Sequence, residues 1–259
     1  MLTQHSFSVK RSGPAHWARS FTTMLRWEIV RMRLVLPLTA LVQVVTGAGL
    51  ILGLGLFFED ISTVSILYLA TGAVVITLVT VGLVLGPQLI AQLRQRGSWD
   101  FFAALPVPRS AATAAWVGLT TIVAIPGMIA ALFAAWIRYD AQLHPSLLIV
   151  PAVGLVLLSG ALVGYAYGHA IPQPRLVNLV SQVLIFVIFG FSPISFPAEN
   201  LPGWLAELHQ YLPFVHMGNV VRAGLTEGLA TDVGQSFGIL TAWTLAAGIV
   251  ASVAIGRRG

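Results

Sequence analysis

Six apolar stretches run from Leu34 to Phe58, Val64 to Ile90, Ala111 to Ile137, Leu147 to Ala170, Leu176 to Phe196 and Phe237 to Ile255, and none contains Asp, Glu, Lys or Arg. A bilayer's hydrocarbon core of roughly 30 Å is crossed by about 20 helical residues, each rising about 1.5 Å. In hydrocarbon every backbone N–H and C=O must be satisfied within the segment, so runs of this length predict six transmembrane helices. Composition agrees: 57% of the residues are hydrophobic and 9% charged, too few charges to cover a water-exposed surface, which in ordinary soluble domains carries about 25%. Cys is absent, which removes disulfides and thiolate metal sites.

The flanking charges orient the spans. Lys10, Arg11, Arg19, Arg26, Arg31 and Arg33 precede the first span, Arg94, Arg96 and Arg109 lie in the second loop, Arg175 in the fourth, and Arg257 and Arg258 at the C-terminus. Only Arg138 and Arg222 fall on the other side, together with Glu59, Asp60, Asp140, Glu199, Glu207, Glu227 and Asp232. Lys and Arg accumulate in cytoplasmic loops, so both termini are expected in the cytoplasm of a multi-pass cell-membrane protein. The net charge of +5 is therefore topological and predicts no nucleic-acid partner. The first run follows 33 polar and basic residues and has no small-residue cleavage site, which reads as a retained anchor.

Three segments are not plain spans. From His16 to Arg33, Phe21, Met24, Leu25, Ile29 and Met32 recur at helical spacing, with Arg19, Arg26 and Arg33 on another face. With Trp17 and Trp27 this fits a helix in the headgroup layer, and a basic topological tail is the alternative. Glu28 and Arg31, three apart, are placed to pair, which in a solvated setting would add only about 0.2–0.5 kcal/mol.

In the cytoplasmic loop 91–110, Gly97 can end the second span's extension, Ser98 can cap a short helix, and Asp100 suits its N-terminal dipole. Trp99, Phe101, Phe102 and Leu105 give that helix an apolar surface, and Pro106 and Pro108 end it. A docking helix and a membrane-interface turn both fit. On the outer side, Pro193, Pro197, Pro202 and Pro213 cut segment 193–232 into pieces too short to span, one of which carries Leu201, Trp204, Leu205 and Leu208 on one side. Re-entrant or interfacial helices are expected, serving either as an outer gate or as a lid that packs the bundle.

The sequence lacks a GxxxxGK[ST] phosphate loop, so ATP of that kind is not held here. No HExxH or similar spacing links His5, His16, His144, His169, His209 and His216. His169, beside Tyr165 and Tyr167, reads as an interfacial hydrogen-bonding residue in preference to a proton relay. No catalytic residue, bound cofactor or metal ligand is assigned. Asn178, Ser181 and Gln182 follow 0, 3, 4 spacing and are expected to share one face of the fifth span, either lining a path or bonding neighbouring helices.

The basic amphipathic N-terminal helix, the run Arg96-Gly97-Ser98-Trp99-Asp100 ending in Leu105-Pro106-Val107-Pro108, and the external Phe196-Pro197 to Leu201-Pro202-Gly203-Trp204-Leu205 segment followed by Leu212-Pro213 and Arg222 together resemble the membrane subunits of type-2 ABC exporters. The resemblance covers the chain from about His16. It departs from the family where Gln92, Arg94 and Arg96 precede the glycine in place of an acidic residue, and where Ser98 and Asp100 replace Thr-x-Glu.

The resemblance implies an all-α integral membrane protein: a cytoplasmic N-terminus 1–33 with an interface helix, and a single six-helix domain 34–259 with outer re-entrant helices between spans five and six. It implies that Arg96, Gly97, Ser98, Trp99, Asp100, Phe102, Leu105 and Pro106 form a coupling helix. The fifth span, with Asn178, Ser181 and Gln182, would face a partner half, and Pro197, Pro202, Trp204 and Pro213 would frame an outer gate. Expected partners are two ATP-binding subunits carrying ATP and magnesium, a second permease subunit, identical or related, and membrane lipid. The uncharged path favours a hydrophobic or amphipathic cargo such as a drug, antibiotic or lipid. A cell-wall polysaccharide or lipid-linked glycan is the alternative cargo, and an ion-coupled carrier or membrane-embedded lipid-modifying enzyme the alternative class.

Overall fold

The structure, a computed structural model, describes residues 13–56, 62–95 and 107–256. Its helices are α1 (Pro14–Met32), α2 (Leu36–Gly55), α3 (Thr63–Thr80), α4 (Gly86–Gln95), α5 (Arg109–Tyr139), α6 (Ile149–Ala170), α7 (Pro174–Phe186), α8 (Gly203–His209), α9 (Pro213–Leu225) and α10 (Val233–Gly256). A π turn, Val81–Leu85, joins α3 to α4, and a second, Val187–Phe191, ends α7. No strand occurs among the described residues.

Six segments are long and apolar enough to cross a membrane: Leu36–Gly53, Thr63–Leu93, Arg109–Tyr139, Ile149–Ala170, Pro174–Phe191 and Val233–Val253. They correspond to the six uncharged runs, with ends displaced by local chemistry. Ser62 starts α3 by accepting the Ser65 amide at 3.2 Å. Pro174 and Pro213 open α7 and α9 at a position where a missing N–H costs nothing.

The second span is the hub. Within its most apolar stretch 89% of the residues are buried, against 17% in the first and fifth spans, so the chain wraps its own second helix and leaves two outer helices largely uncovered. α2 packs most extensively on α5, and α10 on α6, while α9 wedges among α3, α6 and α10. Small residues make these approaches close. A Cβ on Gly127 of α5 would sit 2.7 Å from the Gln43 carbonyl oxygen of α2, and one on Gly82 would sit 2.6 Å from the Ala161 nitrogen of α6. Helices in lipid associate through this kind of close van der Waals packing, since burial of apolar surface drives little when the solvent is itself apolar.

Pro87 explains the π turn. It lacks the N–H that would have bonded the Leu83 carbonyl four residues earlier, and Tyr167 of α6 supplies the donor in its place through its hydroxyl. Because the Tyr167 hydrogen is directed to Leu83, Ser181 of α7 is the donor in the 3.0 Å contact between the two hydroxyls. One chain of hydrogen bonds thus ties the second, fourth and fifth spans at the level of the kink.

Most of the polar groups inside spans turn back on their own helices. Thr46, Thr71, Thr77, Thr80 and Thr241 each donate to a carbonyl three or four residues earlier. Gln43 instead crosses between helices, donating its side-chain amide to the Thr77 carbonyl at 2.9 Å.

Candidate functional site

The N-terminal helix lies on α5, and its start is pinned there by Trp17, whose indole N–H donates to Ser110 Oγ at 3.0 Å while its ring stacks on Phe21 at 5.6 Å. Met32 is buried, Phe21, Leu25 and Ile29 are half-buried, and Arg19, Arg26 and Arg33 are exposed, as the helical periodicity requires. The expected Glu28–Arg31 pair forms, and because Glu28 is buried it lies at the packed face of α1, with the Arg31 guanidinium 4.7 Å from the centre of the Trp27 ring. Burial raises the Glu28 carboxyl above its ordinary value, and the neighbouring Arg31 only partly opposes this.

Arg96, Gly97, Ser98, Trp99, Asp100, Phe102, Leu105 and Pro106 lie outside the described residues. The structure gives the two ends from which that loop springs: α4 closes at Gln95, and α5 opens at Arg109, one residue before the Trp17 anchor.

The fifth span divides the expected polar trio. Asn178 and Gln182, one turn apart, are exposed on its outer surface among Leu179 and Val183, whereas Ser181 is fully buried in the Tyr167–Leu83 chain. Spacing put all three on one face, but Ser181 sits about 60° from Asn178 around the helix, enough to cross from the open surface into the bundle at a side only partly covered.

On the opposite side, Pro197 precedes a single 3-10 turn, Ala198–Asn200, Pro202 precedes α8, and Pro213 begins α9. Trp204 and Leu208 turn outward, and His209 turns inward, where its Nε2 lies 2.8 Å from the Phe191 carbonyl oxygen. Beneath them Arg222 is 1% exposed. Its Nη2 donates to the Ile194 carbonyl at 2.5 Å, its Nη1 to Asn219 Oδ1 at 2.9 Å and its Nε to Thr71 Oγ1 at 3.3 Å. Among the described residues no carboxylate forms an ion pair with it.

The family model for ABC-2 type transporters matches residues 19–226, from within α1 through the end of α9. The chain belongs to the ABC-2 type transporter family. No curated protein matches it. The ABC-2 permease is accordingly a multi-pass transmembrane component of an ABC transporter, a machine whose ATP-binding parts are separate from the membrane domain.

Within the permease, the sequence placed Arg222 in the external motif but gave no sign of its buried contacts with Thr71, Asn219 and Ile194. The signal available for its burial alone was a single cation inside the apolar run Met217-Gly218-Asn219-Val220-Val221-Arg222-Ala223-Gly224-Leu225, which forms a helix and so must bury it. His169 is buried with Nδ1 2.8 Å from the Tyr165 carbonyl oxygen and its ring 4.1 Å from the Tyr165 ring, the hydrogen-bonded position expected of it.

Proposed function

We propose that the permease exports a hydrophobic or amphipathic small molecule, such as a drug, antibiotic or lipid, by pairing with a second permease, identical or related, and with two ATP-binding subunits that supply ATP and magnesium. In this reading the chain is not catalytic, and both termini are cytoplasmic. The supporting observation is the outer surface of α7, where Asn178 and Gln182 project from one of the two least buried spans of the bundle. Exposed carboxamides on a transmembrane helix are costly against hydrocarbon, so this surface fits a partner helix or a watered path better than lipid. An amphipathic cargo would be met by two amides surrounded by Leu179, Val183 and Phe186, with Arg175 exposed at the start of the same helix.

The loop 96–106 would receive the motion of the ATP-binding subunits. Its ends deliver that motion to the buried second span through Gln95 and to α5 and α1 through Arg109 and Ser110. On the far side, Pro197, Pro202, Trp204 and Pro213 would frame the exit.

The deciding experiment purifies the tagged protein from its native membranes in mild detergent and identifies what accompanies it by mass spectrometry. An abundant partner with a phosphate-binding loop is expected, together with a second permease copy or relative. Repeated isolation without an ATPase would defeat the proposal. Replacing Trp99 and Phe102 by Ala should then leave insertion intact and uncouple ATP hydrolysis from transport.

A further inference from the structure

A half-open groove of about 460 Å³ runs between α5, α6 and α10, apart from the α7 surface. Its mouth is at Arg109 and Ser110, the end of α5 that the charge pattern assigns to the cytoplasm, and it descends past Ala114 to Val117. Leu158 and Leu162 of α6 and Gly248 and Ala251 of α10 form the other walls. From Arg109 to Val117 the helix rises about 12 Å, most of the roughly 15 Å that one leaflet contributes to the hydrocarbon core. The exposed Leu245, Ile249 and Val250 of α10 flank it.

A missing side chain keeps the groove open. Gly82 and Gly127 admit another backbone, but a Cβ on Gly248 would meet only the Leu162 side chain, at an ordinary 3.7 Å. Helix packing therefore does not require glycine at 248, and the space it leaves belongs to the groove.

Polar groups able to hold a ligand are confined to the mouth. Thr113 and Ser252 also line the groove, yet Thr113 donates its hydroxyl to the Arg109 carbonyl at 3.1 Å and Ser252 donates to the Ile249 carbonyl at 2.7 Å. Neither keeps a hydrogen for an occupant. At the mouth Arg109 is exposed, and among the described residues no carboxylate pairs with it. Ser110 is exposed as well, and its oxygen accepts the Trp17 indole N–H, which leaves the hydroxyl hydrogen for another acceptor.

An occupant that satisfies both parts carries an uncharged chain about one leaflet long and an anionic group at headgroup level. A free anion matches only the mouth, and an uncharged chain only the walls. We infer that the groove binds an anionic phospholipid, with its phosphate at Arg109 and Ser110 and an acyl chain lying between α5 and α10. The lipid is a resident ligand here and not the cargo. Because Trp17 of α1 bonds Ser110 at the same mouth, a lipid seated there bears on the attachment of α1 to α5.

The test uses the full chain in nanodiscs containing phosphatidylglycerol and phosphatidylcholine in equal amounts, released into native mass spectrometry. Wild type should retain phosphatidylglycerol over phosphatidylcholine by roughly fivefold, the effect of one arginine at an anionic surface. Arg109→Gln should remove the preference while lipid of both kinds is still retained, and its exposed position makes the substitution mild for folding. Gly248→Leu should fill the groove and lower retention of both lipids. Arg26→Gln, which removes an exposed charge of α1 outside the groove, should keep the preference. If Gly248→Leu does not fold, the comparison of Arg109→Gln with Arg26→Gln decides. Equal retention of both lipids by wild type, a preference that survives Arg109→Gln, or an equal loss in Arg26→Gln would each overturn the inference. Undiminished retention by a folded Gly248→Leu would do so too, since the anion would then be held without its chain.

Discussion

The guanidinium of Arg222 lies 4.0 Å from the centre of the Tyr68 ring, so a buried cation of the short helix α9 is held against the second span by an aromatic face and not by a carboxylate. Its other contacts, Thr71 on the same span and the Ile194 carbonyl after the fifth span, make it the point where three separate parts of the chain meet.

Arg222→Ala should therefore destabilise the permease by roughly 3 kcal/mol or more, because it leaves the Ile194 carbonyl and Asn219 short of a donor and opens a void. Arg222→Lys keeps the charge but lacks the planar fork and should fall between. Unfolding by denaturing detergent ranks the three proteins; equal stability of wild type and the Ala variant would remove Arg222 from this role.

Tyr167→Phe should cost about 1 kcal/mol, in the range of interhelical hydrogen bonds within membranes. Ser181→Ala should cost less, since the Tyr167 hydrogen still reaches Leu83 when Ser181 is lost. A double-mutant cycle should return a coupling energy between the two hydroxyls, and strict additivity would contradict the shared chain.

Gly127→Ala should abolish folded protein in membranes, because its methyl group would meet backbone at 2.7 Å where two helices cross. Gly49→Ala, two residues from the Gly47 that faces the same crossing, has nothing within 4 Å of the added carbon and should express normally. Yields of monodisperse protein after detergent extraction distinguish the two.

Glu28 supplies a pH dependence with a definite sign. A carboxyl whose value is raised on folding binds more protons in the folded state, so the attachment of α1 is strongest at low pH. It weakens as pH rises from the ordinary 4.5 through the raised value. The protection of α1 amides, measured as exchange relative to its intrinsic rate at each pH, should fall across that window in wild type and stay level in Glu28→Gln.

The spans were legible because an uncharged run of sufficient length has one solution in a bilayer, and the external segment because four prolines cannot lie inside a spanning helix. Which helix is central was not legible, since the second run is no more apolar to the eye than the third. Its burial follows from Gly72, Gly82 and the glycines of α6, whose meaning appears only when two backbones meet. Spacing grouped Ser181 with Asn178 and Gln182 because periodicity gives relative angle and not the width of the covered arc. The burial of the Glu28–Arg31 pair was not legible for a related reason: an acid beside an arginine on a basic helix gives no sign of which side is pressed against α5.

The encasement of the second span has a mechanical meaning. A helix clasped on every side has no free surface along which to slip, so a displacement entering at Gln95 is shared with all its neighbours and does not shear past them. The permease is then stiff at its axis, and its compliance lies at the perimeter, in the sparsely covered first and fifth helices. A stroke delivered to such a body would tilt it whole, and what would change in the membrane is the company kept by its rim.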